Sequence, residues 1–453
     1  MATSTKRITV HDHCRVAPLA SADLVAEQSL PLTYFDIIWL NFHPIQRLLF
    51  YQFPCSSAQF LEKIVPNLKK SLSQTLKHHL PLAGSFYFPL NSGMPEFRYV
   101  SGDSVSFTIA ETSTSTSTHD FNYLIGNQAR DADQFYPFVP SLPEPRTDSE
   151  SAFKIFPLLA VQVTLFPETG ICIGFSNDHT VGDASSIVRF IKAWSSATKL
   201  GEEEAKISSL PFYDRSVIED PSGRRANIYW NQMKHSKYWP QQTYILLKED
   251  IQRLRSHVLT KRPNVSHLSS FTISTAYVWS CLAKTAAKIG EMVDDNEPEY
   301  YVITVDARHR LDPPVPATYF GNCLAAAVTE STHGELKGED GFLVAVELIS
   351  ELISKRVNNK EETMRGADDW MAKYAPLFEK RVFGVAGSPK FDLYDTDFGW
   401  GKPSKYEAVS IDGDSAMSLC KSREFEGGLE IGLSLFKPKQ DAFEAIFNEE
   451  LKI

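Results

Sequence analysis

The stretch from Leu210 to Arg225, LPFYDRSVIEDPSGRR, divides the chain and constrains its fold more than any other feature. It has neither helical nor strand periodicity, and it is rich in charged residues and turn formers, as linkers between domains are. The chain has 453 residues, more than one ordinary hydrophobic core accommodates. We therefore expect an N-terminal domain of residues 1–205, a crossover linker of residues 206–226 and a C-terminal domain of residues 227–453.

Helical and strand patterns alternate loosely on both sides of this linker. Leucine and isoleucine recur about every four residues from Phe60 to Leu80, which predicts an amphipathic helix, and Ser269 to Ile289 predicts another. Alternating apolar residues from Val161 to Phe175 predict a hairpin, and Phe97 to Glu111 predicts two short strands. Because clean βαβ units are absent from the pattern, we predict a mixed α/β fold.

Composition excludes several classes of function. The formal net charge of -10, from 46 basic and 56 acidic residues, argues against a nucleic-acid partner. No apolar run approaches the length of a membrane span, and the opening segment is too polar for a secretory signal. The six cysteines are scattered, as reduced thiols are in cytosolic proteins. We expect a cytoplasmic protein that binds neither nucleic acid nor a membrane.

The segment IGFSNDHTVGDASS, from Ile173 to Ser186, joins a predicted strand to a predicted helix. In it His179 precedes Asp183 by four residues. One interpretation is structural: Asp183 caps the helix and His179 is an ordinary loop histidine. The other makes His179 a general base, with a pKa near neutrality, at the mouth of a channel. Asp183 could orient the histidine or pair with a distant arginine, and we favour the arginine.

Neither a metal nor a protein nucleophile is indicated near this loop. Gly182 makes it improbable that His179 and Asp183 share one helical turn, and no third ligand cluster is evident, so we predict no metal site. The chain also lacks the G-x-S-x-G elbow and the catalytic-cysteine context of covalent hydrolases.

Three more motifs accompany the H-x-x-x-D pattern. They are LPLTYFD from Leu30, YFGNC from Tyr319 and DFGWGKP from Asp397. In this order, along nearly the whole chain, they resemble the plant BAHD acyltransferases, which use coenzyme A thioesters. YFGNC is similar to the clade that acylates sugars on anthocyanins and other flavonoid or phenolic glucosides.

The resemblance implies a two-domain fold like that of chloramphenicol acetyltransferase, with mixed sheets flanked by helices and a solvent channel between the domains. His179 would deprotonate a sugar hydroxyl, which attacks the thioester without an acyl-enzyme intermediate. The acyl-CoA would be a co-substrate rather than a tightly bound cofactor. The partners would be small molecules, and we expect a monomer.

The resemblance also assigns roles to other residues. Asp183 would pair with Arg308, and the DFGWG residues Asp397, Gly399, Trp400 and Gly401 would be structural. Coenzyme A phosphates need basic residues and a helix N-terminus, for which we identify Lys261, Arg262, Ser269, Ser270 and Thr272. An ordinary capped helix beside a solvated basic pair is the alternative. Lys390 aligns with a segment on the acceptor side.

The predicted reaction is transfer of a malonyl group from malonyl-CoA to a sugar hydroxyl, the 6-hydroxyl being favoured, of an anthocyanin, flavonoid or other phenolic glucoside. Three alternatives remain: a hydroxycinnamoyl-CoA donor with the same acceptors, a non-catalytic glucoside-binding relative, and a hydrolase using water. Many relatives carry His-His in the motif, whereas this chain has Asp178 before His179. If it points inward, that carboxylate would disfavour an anionic malonyl group.

Overall fold

The structure is a computed structural model that describes residues 8–22, 24–40, 42–113, 117–201, 210–218, 241–367, 370–411 and 416–452. Within these ranges the strands form three sheets, two of them mixed and one antiparallel, and helices pack against them, as predicted for an α/β fold. Of the predicted linker 206–226, only residues 210–218 are described; the remainder lies outside the described residues.

The strands and helices are numbered in chain order. The strands are β1 Ile8–Val16, β2 Glu27–Pro31, β3 Ile45–Tyr51, β4 Ser85–Pro89, β5 Glu96–Val100, β6 Val105–Thr112, β7 Arg146–Asp148, β8 Phe153–Pro157, β9 Leu159–Phe166, β10 Gly170–Asn177, β11 Gln241–Leu246, β12 Pro298–Asp306, β13 Leu324–Thr332, β14 Arg381–Ala386, β15 Lys405–Ala408, β16 Ala416–Lys421 and β17 Leu429–Ser434. The helices are α1 Tyr34–Ile37, α2 Ser57–Gln59, α3 Val65–Leu76, α4 Leu80–Ala83, α5 Ser117–Ile125, α6 Ala184–Leu200, α7 Lys248–Lys261, α8 Ser270–Lys288, α9 His333–Lys337, α10 Gly341–Leu352, α11 Lys360–Thr363, α12 Trp370–Tyr374 and α13 Lys437–Glu450.

The first sheet organises the N-terminal half, in the order β1-β6-β9-β10-β3-β15. Its centre is the antiparallel pair β9–β10, the hairpin that the alternating pattern predicts. Every residue of both strands is buried, because α3 and α6 cover one face and an aromatic cluster around Phe50 and Phe166 covers the other. This rigid pair ends immediately before the His179 loop.

The predicted pair of strands around Gly102 exists, but its two members belong to different sheets. β5 lies in the antiparallel sheet β2-β5-β4-β8-β7, whereas β6 pairs with β1 and β9 in the first sheet. Gly102 has a φ of +100°, which lets the chain turn tightly between the two sheets.

The third sheet organises the C-terminal half, in the order β11-β17-β16-β14-β12-β13. Its long helix α8 spans Ser270–Lys288, within one residue of the predicted segment at each end. The apolar faces of α8, α10 and α13 pack onto this sheet and form a second large core.

The C-terminal half also contributes to the N-terminal sheet. β15 pairs antiparallel with β3, with Tyr406 opposite Leu49 and Ala408 opposite Arg47. Just before it, Phe398 packs edge to face against Trp194 of α6, with ring centroids 5.0 Å apart. The two halves therefore interlock through a strand and a buried ring, in addition to their contacts around the His179 loop.

Candidate active site

The loop carrying His179 begins where β10 ends at Asn177. Asp178 caps a short 3-10 turn, His179–Val181, by accepting a hydrogen bond from the Thr180 N–H at 2.8 Å. Gly182 then separates this turn from α6, which begins at Ala184. The loop is thus the predicted strand-to-helix connection, and His179 and Asp183 do not lie on one helical turn.

The imidazole of His179 is held between aromatic rings. It stacks on Trp39, with the ring centroids 3.8 Å apart and the planes 7° from parallel, and Phe42 contacts it edge to face at 5.3 Å. Its Nδ1 is buried without a hydrogen-bond partner among the described residues, while the side chain as a whole remains partly exposed. The ring is therefore fixed in orientation and exposes only part of its surface.

The electrostatic environment keeps this imidazole neutral. Burial lowers the pKa of His179 from 6.5 to about 3 because the charged ring would lose its hydration, and the positive charges of Arg47 and His43 act in the same direction. The sequence predicted a pKa near neutrality, and the structure gives a lower value. At neutral pH the ring has a free lone pair that can accept a proton.

The Asp183 carboxylate is fully engaged by partners other than His179. Its Oδ2 lies 2.8 Å from Nη1 of Arg308, and both side chains are 1% exposed. Its Oδ1 accepts a hydrogen bond from the Ser186 N–H at 3.1 Å, and this bond caps α6. The same oxygen accepts a second bond from Arg308 Nη2 at 3.0 Å. The expected ion pair with Arg308 is present, and Asp183 is a structural link between the halves.

The YFGNC segment supports the His179 loop from the C-terminal half. The Asn322 amide donates to the backbone carbonyls of His179 and Thr180, both at 2.9 Å. The Cys323 N–H donates to Asp183 Oδ2 at 3.2 Å. These bonds fix the backbone on which the imidazole is mounted.

Sequence reasoning missed a second buried ion pair in the same support. Asp36, in the LPLTYFD motif, is completely buried and pairs with Arg215 at 2.5 Å. Its other oxygen accepts from the Asn322 amide at 3.1 Å. LPLTYFD signalled the carboxylate, but no local pattern pointed to Arg215, which lies in the predicted linker.

The DFGWG segment forms a packed turn at the opposite end of α6. Asp397 Oδ1 accepts hydrogen bonds from the N–H groups of Gly399 and Gly401 at 2.8 and 2.9 Å, and its Oδ2 pairs with Lys199 at 2.6 Å. Both glycines have positive φ, +93° and +86°. Trp400 stacks on Phe53 at 5.7 Å. None of these contacts involves His179, consistent with the predicted structural role.

The residues predicted to hold coenzyme A phosphates are only partly available. Arg262 already pairs with Asp340 at 3.2 Å and with Glu347 at 3.0 Å. Ser269 caps α8 by accepting from the Thr272 N–H at 3.1 Å, and Thr272 is fully buried. Lys261 is exposed, and Ser270 is the first residue of α8 and partly exposed. Six residues line a cavity of about 360 Å³: Lys261, Arg262, Pro263, Asn264, Val265 and Glu347.

Two further positions were singled out in the sequence, Lys390 and Asp178. Lys390 is exposed, and its backbone N–H donates to Ser388 Oγ at 3.3 Å. The Asp178 carboxylate folds back onto its own turn, where the Thr180 hydroxyl also donates to it at 2.5 Å. Asp178 therefore stabilises the loop by accepting bonds from the N–H and the hydroxyl of Thr180.

Within the described ranges, no group of three or more His, Cys, Asp or Glu side chains could hold a metal ion. In the same ranges, none of the helices combines the length and apolar character needed to cross a bilayer.

Comparisons with known proteins fit this architecture. A family model described as the Transferase family matches residues 6–450. The chain is 45% identical to a malonyl-coenzyme:anthocyanin 5-O-glucoside-6'''-O-malonyltransferase of Salvia splendens, over 99% of this chain and 96% of that protein. It is 46% identical to phenolic glucoside malonyltransferase 1 of Nicotiana tabacum, over 91% of each.

The chain is also similar to more distant proteins. The chain is 34% identical to coumaroyl-CoA:anthocyanidin 3-O-glucoside-6''-O-coumaroyltransferase 2 of Arabidopsis thaliana, over 100% of this chain and 99% of that protein. The crystal structure of vinorine synthase superposes with a TM-score of 0.73 at 21% identity, covering 96% of both chains, and so shares the fold.

The fold and the matching family model define the class as a transferase with two interlocked α/β halves. The chain belongs to the BAHD family of acyl-CoA-dependent acyltransferases, as the family model and the similarity to named malonyltransferases show.

Proposed function

We propose that this protein transfers a malonyl group from malonyl-CoA to a sugar hydroxyl, preferentially the 6-hydroxyl, of an anthocyanin, flavonoid or other phenolic glucoside. The observation that carries the chemistry is a neutral imidazole, His179, held between Trp39 and Phe42 and mounted on a loop braced from the C-terminal half. The malonyltransferases of Salvia splendens and Nicotiana tabacum, at 45% and 46% identity, support the choice of substrates.

In this proposal His179 takes the proton from the sugar hydroxyl, and the oxygen attacks the thioester carbonyl carbon. The tetrahedral intermediate collapses with cleavage of the C–S bond, and the imidazolium returns its proton to the departing thiolate. The products are a malonyl ester and free coenzyme A. Because His179 is neutral at neutral pH, it can accept this proton without first losing one.

The binding sites for coenzyme A and for the acceptor are assigned to regions of the structure. Coenzyme A phosphates would bind beside Lys261 and the N-terminus of α8 at Ser270, because Arg262, Ser269 and Thr272 are engaged in structural contacts. Lys390, an exposed cation, would meet the acceptor. We further propose a cytoplasmic monomer: the contacts that brace His179 come from its own chain, and all six cysteines are free thiols.

A hydroxycinnamoyl donor is the second candidate function. It is favoured by the similarity to the Arabidopsis coumaroyltransferase, whose named acceptor is also an anthocyanidin glucoside. A donor with an aromatic acyl group would use the same base and the same attack on the thioester, so only the acyl pocket distinguishes the two candidates.

A competition assay tests both. Purified protein receives malonyl-CoA, acetyl-CoA and p-coumaroyl-CoA together with an anthocyanin 3-glucoside or a phenolic glucoside, and the products are identified by mass. We expect a malonylated product, with free thiol released only when the acceptor is present. Thiol release without acceptor would indicate a hydrolase, and no release from any donor would indicate a non-catalytic binder.

Two variants accompany the assay. His179→Ala should lower turnover by about 10²–10⁴-fold, the usual contribution of a general base. His257→Ala, a partly exposed histidine of α7, serves as the matched control and should retain wild-type turnover. A coumaroylated main product would keep the mechanism and replace the donor, whereas equal rates for His179→Ala and wild type would overturn the role of His179.

A further inference from the structure

Arg47, in β3, is a buried cation without a buried anion to neutralise it. Among the described residues, four arginines are less than one-tenth exposed. Three of them pair with a carboxylate within 3 Å, whereas Arg47 has no carboxylate within ion-pair distance in the described part of the chain. The paired arginines are Arg130 with Glu407 at 2.9 Å, Arg215 with Asp36 at 2.5 Å and Arg308 with Asp183 at 2.8 Å.

The partners of Arg47 are neutral. Its Nη1 donates to Asn177 Oδ1 at 2.9 Å, and the guanidinium is also hydrogen-bonded with the Tyr406 hydroxyl on β15. Burial lowers the pKa of Arg47, because a guanidinium that is 8% exposed has lost most of its hydration. A buried charge normally persists only where something compensates it. An anionic group of a substrate would supply that compensation.

Arg47 also lies beside the reacting group. Asn177, which it contacts, is two residues before His179, and the segment containing Trp39 and Phe42, which encloses the imidazole, leads directly into β3. The charge of Arg47 is among the influences that lower the pKa of His179. The guanidinium and the imidazole are therefore neighbours at the end of the β3–β10 pair, near enough for the charge of one to act on the other.

We propose that Arg47 binds the free carboxylate of a dicarboxylic acyl donor and thereby selects malonyl-CoA over donors with neutral acyl groups. This inference rests on the proposed function and adds the residue that distinguishes an anionic acyl donor from a neutral one. A guanidinium offers two parallel N–H donors to a carboxylate, which gives both strength and a fixed orientation. The thioester carbonyl, one methylene away from that carboxylate, is then held close to His179.

The geometry of Asp178 is compatible with an anion at this position. Its carboxylate accepts hydrogen bonds from the N–H and the hydroxyl of Thr180, so its charge is directed into its own turn. Burial raises the pKa of Asp178, which reduces its repulsion of a second carboxylate. The sequence-based expectation that Asp178 could disfavour malonyl-CoA therefore loses its basis.

The test measures a selectivity ratio, because a ratio within one sample does not depend on the fraction of folded protein. Wild type, Arg47→Gln and Arg47→Lys receive equimolar malonyl-CoA and acetyl-CoA with one acceptor, and the two esters are quantified by mass. We expect the malonyl-to-acetyl ratio to fall by about 100-fold in Arg47→Gln and by less in Arg47→Lys, which keeps the charge but loses the paired donors. Arg130→Gln is the matched control: it also removes a buried arginine, but its ratio should equal that of wild type.

A second measurement uses wild type alone and so does not depend on folding of the variants. The methyl ester of malonyl-CoA has nearly the same shape without the charge, and we expect its kcat/KM to be about 100-fold lower than that of malonyl-CoA. Equal use of the ester, or an unchanged ratio in Arg47→Gln, would overturn the role of Arg47 while leaving malonyl transfer intact. A wild type that makes no malonyl ester but transfers another acyl group would instead overturn the proposed donor, and the role of Arg47 with it.

Discussion

At the scale of single residues, the environment of His179 determines how activity should depend on pH. With a pKa of about 3, the imidazole stays neutral at pH values far below 6.5, the ordinary pKa of histidine. Protonation of this base therefore contributes no acid limb near pH 6.5. We expect kcat/KM to stay level from pH 7.5 to pH 5, as measured in buffers of constant ionic strength.

The pH profile of a Trp39→Ala variant should differ from that of wild type. Removing the stacked indole admits water to the imidazole and lessens the desolvation that depresses its pKa. The pKa should rise towards 6.5, so that the variant loses activity between pH 7 and pH 5 while wild type does not. Parallel profiles for the two proteins would contradict this account of the His179 environment.

Asp183 should matter for stability more than for chemistry. Asp183→Asn removes the buried partner of Arg308 and leaves it only the part-exposed carboxylate of Asp306 at 3.1 Å, so we expect a loss of about 3 kcal/mol of unfolding free energy. Urea unfolding measures this loss. Per mole of folded enzyme, kcat should fall far less than in His179→Ala. An unchanged unfolding midpoint together with a loss of kcat as large as that of His179→Ala would reveal a catalytic relay instead.

These residues also show what the sequence can and cannot reveal about the site. His179 stood out because one polar loop links a predicted strand to a predicted helix. The pairing of Asp183 with Arg308, 125 residues away, was anticipated only through the family resemblance. Asp36 and Arg215 are 179 residues apart, and no local pattern couples them. Arg47 escaped notice because burial of a cation cannot be read from an apolar strand sequence.

At the scale of elements, α6 is tied to the C-terminal half at both ends, but by bonds of unequal strength. The Asp183–Arg308 pair at its N-terminus is 1% exposed on both sides, whereas Lys199 and Asp397 at its C-terminus are 47% and 24% exposed. Water screens the second pair, so its contribution to stability should be small. The helix position, and with it the His179 loop, is determined mainly at the N-terminal end.

This difference predicts unequal effects within the second pair. Lys199→Ala removes only a screened ion pair and should cost about 0–1 kcal/mol of unfolding free energy. Asp397→Ala also removes the acceptor for the Gly399 and Gly401 N–H groups and should cost about 1–3 kcal/mol. Thermal denaturation of both variants checks the order. If Asp397→Ala melts like wild type but loses activity, the DFGWG turn takes part in function directly.

Prediction of elements succeeded where the pattern was local. The periodicity of Ser269 to Ile289 gave α8 to within one residue, since helical contacts lie three and four positions apart. Sheet membership was not accessible in the same way. β5 and β6 were recognised as strands but not assigned to separate sheets, because pairing depends on residues far away in the chain. The four residues of β15 were too few to form a recognisable pattern.

At the scale of the whole molecule, the two halves of the chain interlock. β15 covers the outer edge of β3, and Phe398 fills a position beside Trp194 in the N-terminal core. A fragment of residues 1–205 lacks both contributions. We expect it to show no cooperative thermal transition by circular dichroism under conditions in which the full chain does. A cooperative transition of the fragment at the full-chain midpoint would contradict the interlocked arrangement.

The late position of β15 has a consequence for how the protein is made. Its partner β3 is complete at residue 51, whereas β15 ends at residue 408. At ordinary ribosomal speeds of about 5–20 residues per second, the nascent chain waits roughly 20 to 70 s for its last edge strand. During that interval the edge of β3 from Arg47 to Phe50 is open to pairing with other nascent chains, a recognised route to aggregation. Soluble yield in a foreign host should therefore depend on chaperone supply and growth temperature as much as on the stability of the finished protein.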